Sequence, residues 1–202
     1  DHREGLVRER LELESVEERV EEAKAASESA LAAFDRAAVQ LDEARRVAGA
    51  ALAQSVEKVL ARLAMEGTRL EFSWDVRADA SSPLLRDGEP SAFDENGVEE
   101  CTLLIAANPG EELRPMARIA SGGELSRVHL ALRTALRSRH PAGGLTLLFD
   151  EVDSGLGGAT AAALAELLAE LSKEDQVLVI IGKAKGAKVI CVDTRLSNTA
   201  AK

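Results

Sequence analysis

The sequence predicts an α/β protein that follows a long α-helical segment with a coiled-coil face. Three observations point there. Small and apolar residues recur at steps of three and four from Leu13 to Ser55, and residues 1–66 hold no proline to break a helix. Strand-length runs, alternating or wholly apolar, then appear between turn residues from Gly67 onward. Among them, a glycine-rich helix start is followed by an apolar strand that ends on two carboxylates. A chain of 202 residues with 46% hydrophobic content suffices for one globular domain and an extended helix. Residues 1–66 are therefore assigned to the helix and residues 67–202 to the α/β lobe.

The helical seam runs Leu13, Val16, Val20, Ala23, Ser27, Ala30, Phe34, Ala37, Leu41, Ala44, Ala48, Ala51, Ser55. At about 1.5 Å per residue, Arg3 to Glu66 would extend roughly 95 Å. Alanine dominates the seam, so a partner helix could approach closely while burying little area. The apolar phase then moves onto Leu52, Val56, Val59 and Leu63, as expected where a coiled coil passes into a globular base. A solvated amphipathic helix is the plainer alternative, but a single helix would leave the seam exposed. The chain holds no second heptad segment to cover it.

The next stretch reads as β structure. Leu70, Phe72, Trp74 and Val76 alternate with polar residues, the mark of a half-buried strand, and Trp74 reads as a core anchor. Ser81-Ser82-Pro83 and Asp87-Gly88-Glu89-Pro90 read as turns. Thr102 to Ala107 forms another strand, closed by Asn108-Pro109-Gly110.

Ser121-Gly122-Gly123-Glu124-Leu125-Ser126-Arg127 follows. Ser121 with Glu124 three residues on satisfies the capping-box pattern, ahead of Leu125, Val128, Leu132 and Leu136 at helical spacing. A bare S-x-x-E marks an ordinary capped helix. Two glycines in the first turn need a further reason, because each weakens a helix by about 1 kcal/mol relative to alanine. Without side chains they let a ligand reach the backbone, and the positive end of the helix dipole favours phosphate oxygens.

Leu145 to Phe149 reads as a short strand buried on both faces, after the Pro141-Ala142-Gly143-Gly144 turn. Asp150 and Glu151 stand at its carboxyl end, where open α/β sheets bind ligands. One carboxylate there can hold hydrated Mg²⁺ while the other polarises water. Alone, an acidic strand end is more simply a solvated loop. A glycine-rich helix start at this interval upstream weakens that reading. Asp153 to Gly158 forms a loop before a helix from about Ala159 to Ser172, and Val177 to Ile180 forms a further strand.

Composition sets limits. A formal net charge of -10 argues against broad electrostatic adhesion to nucleic acid. Arg114, Arg118, Arg133, Arg137 and Arg139 could make a local basic patch but read more simply as solvated charges. Aromatics at 2% leave an aliphatic core and no base-stacking platform. Cys101 and Cys191 lack metal-ligand spacing and do not suggest a disulfide framework. No signal peptide or membrane span is evident, which makes a cytosolic location the default.

Taken together, Ser121 to Arg127 resembles the signature motif of ABC-type ATPases, and Leu145 to Glu151 resembles their Walker B strand. Asp153 to Gly158 then takes the place of the D-loop. Within that superfamily the spelling resembles the RecN family, SMC-like bacterial DNA double-strand-break repair proteins. The residues that carry this are Asn108-Pro109-Gly110, Ile119 to Arg127 and Phe149 to Gly158. Other SMC-like relatives tend to carry aspartate where this chain has Gly157, which favours RecN. The likeness covers roughly Asn96 to Ile181.

The resemblance implies the C-terminal lobe of an ABC/SMC-type ATPase head, joined to a coiled-coil strand, in an ATP hydrolase that uses Mg²⁺. Two heads of a homodimer would sandwich ATP. Ser121, Gly122, Gly123 and Glu124 of one head would then meet nucleotide held by the other. Asp150 would help hold Mg²⁺ through water, and Glu151 would orient and deprotonate the attacking water. Asp153, Ser154 and Gly155 would couple the two sites. Head engagement would gate capture or bridging of DNA double-strand ends during repair and recombination, in the cytoplasm at the nucleoid.

The same resemblance implies what is missing. No G-x-x-x-x-G-K-[ST] loop is present, since Gly182-Lys183 and Gly186-Ala187-Lys188 do not match its spacing. An N-terminal half of the same protein would bring that loop and the antiparallel coiled-coil helix, and this segment alone is expected to be inactive. After Val177 to Ile180, family members usually continue with Thr-His, the histidine sensing the γ-phosphate. Here Ile181-Gly182 stand instead, residues 182–202 do not resemble the family tail, and neither His129 nor His140 is a convincing replacement. Two alternatives remain beside this reading. One is a non-catalytic coiled-coil structural or interaction module with an inert signature loop. The other is a head fragment of another SMC-like ATPase.

Overall fold

A computed structural model describes residues 2–118, 121–137, 144–181 and 188–192. It is an α/β structure. In chain order its elements are α1 (His2–Arg62), β1 (Arg69–Val76), β2 (Leu85–Arg86), β3 (Glu89–Pro90), β4 (Glu99–Ala106), β5 (Arg114–Pro115), α2 (Gly122–Arg137), β6 (Thr146–Asp150), α3 (Gly158–Leu171), β7 (Gln176–Ile181) and β8 (Lys188–Val192). A 3-10 turn at Met116–Arg118 leads towards α2. The sheets have strand orders β1-β4-β5, β2-β3 and β6-β7-β8. No helix among the described residues is long and apolar enough to cross a membrane.

The contacts divide the chain into two compact units. One is formed by Asp1–Arg45 and Asp75–Glu100, the other by Arg46–Trp74 and Cys101–Lys202. In the first, the N-terminal part of α1 keeps its predicted seam open, with Leu13 59%, Val16 49% and Val20 45% exposed. A small core gathers Ala38, Leu84 and Val98, with Leu31 and Phe34 packed against it. Phe93 lies with its ring centroid 4.9 Å from that of Phe34. Of the predicted Asp87-Gly88-Glu89-Pro90 turn, Asp87-Gly88 joins β2 to β3 as an antiparallel hairpin, whereas Glu89-Pro90 is itself β3, with Leu85 opposite Pro90 and Arg86 opposite Glu89. Both turn residues have positive φ, 52° and 86°, the backbone that suits the right-handed twist of a two-residue hairpin. Arg86 reaches back to α1, 3.3 Å from Asp35 and 3.7 Å from Asp42.

The second unit carries the main core, in two clusters. Ala53, Val56 and Leu60 of α1 meet Leu70, Ile105 and the Val128, Ala131 and Ala135 face of α2. The predicted shift of apolar phase is realised there: Val56 and Leu63 are fully buried. Leu63 and Leu130 enter the other cluster with Phe149, Val152, Val177, Val179 and the α3 leucines Leu164, Leu167, Leu168 and Leu171. Trp74 is half-buried beside Phe72, centroids 6.3 Å apart. Gly49 leaves room for the pair, since a Cβ there would lie 3.2 Å from the Phe72 ring.

β6 and β7 run parallel, from Thr146 opposite Gln176 to Asp150 opposite Ile180, with α3 as the crossover between them. β8 then returns antiparallel to β7. The expectation that the β6 run is buried on both faces does not hold. Phe149 is 6% exposed whereas Leu148 is 62% exposed. Side chains alternate across a strand, and among the described residues the packed core lies on one face only.

A buried carboxylate fastens the start of this sheet to α2. Asp175 is 1% exposed and accepts from Arg133 Nη2 at 2.8 Å and from the Leu145 N–H at 3.1 Å. Burial alone would push this carboxyl up, but the hydrogen bonds from Arg133 and Leu145 outweigh it and hold it below its ordinary range. Arg137 similarly pairs with Glu174 at 3.1 Å and donates to the Glu170 carbonyl. Two of the five arginines considered for a basic patch are thus committed to internal acceptors. Arg139 lies outside the described residues.

Candidate functional site

The glycine-rich helix start and the acidic strand end, separated by the whole of α2, are brought into contact. α2 begins at Gly122. Ser121 stands before it as the cap: its carbonyl accepts from the Leu125 N–H at 3.0 Å, and its hydroxyl accepts from the Glu124 N–H over a long 3.4 Å. Ile119 and Ala120, part of the predicted motif, lie outside the described residues.

The two glycines have a structural reason that the sequence did not reveal. A Cβ on Gly122 would sit 3.3 Å from Glu151 Oε2. On Gly123 it would sit 3.0 Å from Ser154 Cβ and 3.2 Å from the Glu151 carbonyl oxygen. Their smallness therefore lets the first turn of α2 lie directly on residues 151–154, in addition to whatever ligand approach it permits. Gly123 is buried and Gly122 exposed, so the helix start shows one backbone face to solvent.

The acidic turn is itself unusual. Asp150 ends β6 and is exposed, while Glu151 adopts φ 53°, a left-handed backbone that L side chains seldom take. Ser154 N–H donates to the Glu151 carbonyl at 3.0 Å and Leu156 N–H to the Asp153 carbonyl at 3.2 Å, with Gly155 at φ 75° between them. Val152 is fully buried and pins the turn to the core. Asp153 is partly buried, and Ser154 and Gly155 are exposed.

Two α2 residues that stood in the predicted signature run with no site role of their own complete the contact. Ser126 Oγ donates to the Asp150 carbonyl at 2.5 Å, and Arg127 Nη1 donates to the Ser154 carbonyl at 2.8 Å. Arg127 is only 8% exposed, and its burial depresses the guanidinium pKa, against a smaller raising effect of Glu124. Helical phase held the signal: Arg127 lies four residues after Gly123, on the face that packs inward.

The donor set at the turn is hard oxygen. Among the described residues no group of three or more His, Cys, Asp or Glu could cage a metal ion. The exposed Asp150 carboxylate offers hard oxygen of the kind that hydrated Mg²⁺ takes. Of the two positions where the resemblance leads one to expect Thr-His, Ile181 ends β7 and Gly182 lies outside the described residues.

A cavity of about 460 Å³ borders the helix start, with Asn108, Glu111, Arg114, Arg118 and Glu124 in its wall. The predicted Asn108-Pro109-Gly110 turn shapes one side. Asn108 donates to Glu111 from its amide side chain at 2.8 Å and its backbone at 3.1 Å, which holds the Glu111 carboxyl below its ordinary range. The Pro109 ring fills the place a side chain on Gly67 would need, only 2.6 Å from such a Cβ.

No family model matches the chain. The DNA repair protein RecN of Deinococcus radiodurans is 42% identical over 140 residues, which cover 69% of this chain and 22% of the relative. RecN of Treponema pallidum is 48% identical over 136 residues, 67% of this chain and again 22% of the relative. The chain thus spans about a fifth of the length of these curated relatives. Among solved structures, the Smc head domain with coiled coil and joint from Pyrococcus yayanosii aligns with 75% of this chain and 29% of its own, at TM-score 0.39 and 18% identity. Over the matched residues the chain is a homologue of the RecN DNA repair proteins, and it belongs to their family.

Proposed function

We propose that this segment is the C-terminal coiled-coil strand and head lobe of an SMC-like ATPase that acts in DNA double-strand-break repair and recombination. The observation that carries the reading is the packing of the Ser121–Glu124 helix start on the Glu151–Ser154 turn. In this reading the helix start is the signature motif, β6 with its two carboxylates the Walker B strand, and Asp153–Gly155 the D-loop. Ser121 and the Gly122 and Gly123 amides donate to phosphate oxygens of nucleotide held by a second head, aided by the helix dipole. Glu124 stands with them at the nucleotide edge. Asp150 holds hydrated Mg²⁺, which when bound neutralises phosphate charge. Glu151 orients the attacking water and takes its proton, as water oxygen bonds to the γ-phosphorus and ADP leaves with the bridging oxygen.

The remaining partners follow. The N-terminal half of the same protein brings the phosphate loop and the second coiled-coil helix, in keeping with the 22% of its relatives' length that this chain spans. A second head closes the sandwich, and engagement gates capture or bridging of DNA ends in the cytoplasm at the nucleoid. Mixing the chain with a separately made phosphate-loop half should restore ATPase activity, and Ser121→Arg should abolish it. In the full-length protein, Glu151→Gln should trap ATP-bound head dimers. Turnover by that variant at the parental rate would rule out Glu151 as the base.

The open seam favours a second reading. Leu6, Leu11 and Leu13 are each more than half exposed, as a helix awaiting a partner would be. If the segment were only an interaction module, the two halves would associate with no dependence on nucleotide.

A further inference from the structure

We propose that Arg127 is a positioning residue which, together with Ser126, locks the glycine-rich helix start to the acidic turn and so couples two nucleotide sites. The inference rests on the two-head reading above. Its evidence is the intrachain geometry.

Arg127 is a buried cation that forms no ion pair among the described residues, Glu124 reaching it only as a weaker charge effect. Its hydrogen bond goes to the Ser154 carbonyl, and among the described residues its Nε finds no acceptor. The contrast with Arg133 is sharp: that guanidinium meets the buried carboxylate of Asp175 at 2.8 Å. A buried charge held only by a carbonyl is unfavourable compared with an apolar side chain of similar volume. What the guanidinium alone supplies is a directed N–H on the turn.

Ser126 and Arg127 act as neighbours on one helix. The hydroxyl holds the carbonyl of Asp150 and the guanidinium holds that of Ser154. These two carbonyls bracket Glu151, Val152 and Asp153. The turn between them contains positive φ at Glu151, a conformation that persists only where the surroundings determine it. A Cβ on Gly123 would stand 3.0 Å from Ser154 Cβ and 3.2 Å from the Glu151 carbonyl oxygen, so the helix start rests directly on the turn.

A mechanical consequence follows. The helix start faces nucleotide of one site, and Glu151 serves nucleotide of the other. When phosphate draws the first turn of α2 towards it, the clamp transmits the displacement to Glu151 and Asp153 within the same chain. Arg127 and Ser126 are thus the intrachain link through which occupancy of one site changes catalysis at the other.

The test uses the full-length protein, with ATPase rate measured against ATP concentration and melting temperature measured in parallel. Arg127→Met removes a desolvated charge, so the melting temperature should hold or rise. Its coupling should nevertheless fall by about 5-fold or more, the lower end of ordinary allosteric coupling, with the Hill coefficient dropping towards one. Arg127→Lys, which keeps a donor, should recover part of the cooperativity, and Ser126→Ala should lose part of it. Should Arg127→Met fail to fold, the lysine and Ser126 variants decide by the same readout. Unchanged cooperativity in the folded variants overturns the proposal, as does a lower melting temperature with unaltered kinetics, or a wild type that binds ATP without cooperativity. Ser121→Arg and Glu151→Gln separate the two readings. If they leave ATPase intact, the two-head reading fails; if they abolish it while Arg127→Met stays cooperative, only the clamp does.

Discussion

Replacing Gly123 by alanine tests the packing on which the site depends. Two opposing effects are expected. Alanine is a better helix former, by about 1 kcal/mol in a helix interior and less at a first turn. Against this, the new Cβ would stand 3.0 Å from Ser154 Cβ and 3.2 Å from a backbone carbonyl, neither of which is the end of a flexible side chain. Overpacking of this kind costs about 1–3 kcal/mol. Gly122→Ala provides the reference, because among the described residues its Cβ would meet just the far end of the Glu151 side chain, at 3.3 Å, rather than backbone. The helix-forming gain is common to both variants and nearly cancels in their difference. Gly123→Ala should therefore be less stable than Gly122→Ala by about 1–3 kcal/mol. Urea unfolding followed by Trp74, the single tryptophan and part of the same unit, measures that difference. By melting temperature, a gap of about 2 kcal/mol corresponds to about 4–8 °C at this chain size. Equal stability, or a more stable Gly123→Ala, would refute the close-approach account of the glycine pair.

Three further outcomes are expected. Asp175→Ala leaves Arg133 and the Leu145 N–H without their acceptor and should cost about 3 kcal/mol, the low end for a broken buried pair because Arg133 reaches solvent. Asp175 has a folded pKa below its ordinary 3.8, so its contribution is complete above that value and drains as pH falls through the lower folded pKa. The stability difference between wild type and Asp175→Asn should accordingly be flat near neutrality and shrink below about pH 4 in acid titration. Leu63→Ala, at a fully buried position in the main core, should lose about 2–5 kcal/mol in urea unfolding. Gly88→Val places a branched side chain at φ 86° in the β2–β3 hairpin, and should quicken proteolytic nicking there while Trp74 fluorescence stays native.

Local chemistry made much of this legible beforehand. Asp87-Gly88 demanded positive φ and became a hairpin; the Ser121 cap pattern began a helix; and the Gln176–Ile181 run became a parallel strand beside β6. The burial of β6 on one face only was not legible, because an apolar run does not reveal which neighbours cover it. Arg133 and Arg137 looked like solvated or ligand-seeking charges until the loop carrying Glu174 and Asp175 was seen beside them. Ser126 and Arg127 stood in the signature run, but nothing in it showed what either side chain holds.

The sequence by itself determined the long proline-free helix, the order of β1, β4, α2, β6, α3 and β7, and the family, because each rests on short-range spacing or residue identity. Tertiary structure alone decided why the glycines stand in pairs. Gly122 and Gly123 face Glu151 and Ser154 across some 30 residues of chain, and only the fold brings those backbones within van der Waals contact. The same long-range approach put a buried guanidinium on the acidic turn, a juxtaposition that no local pattern encodes.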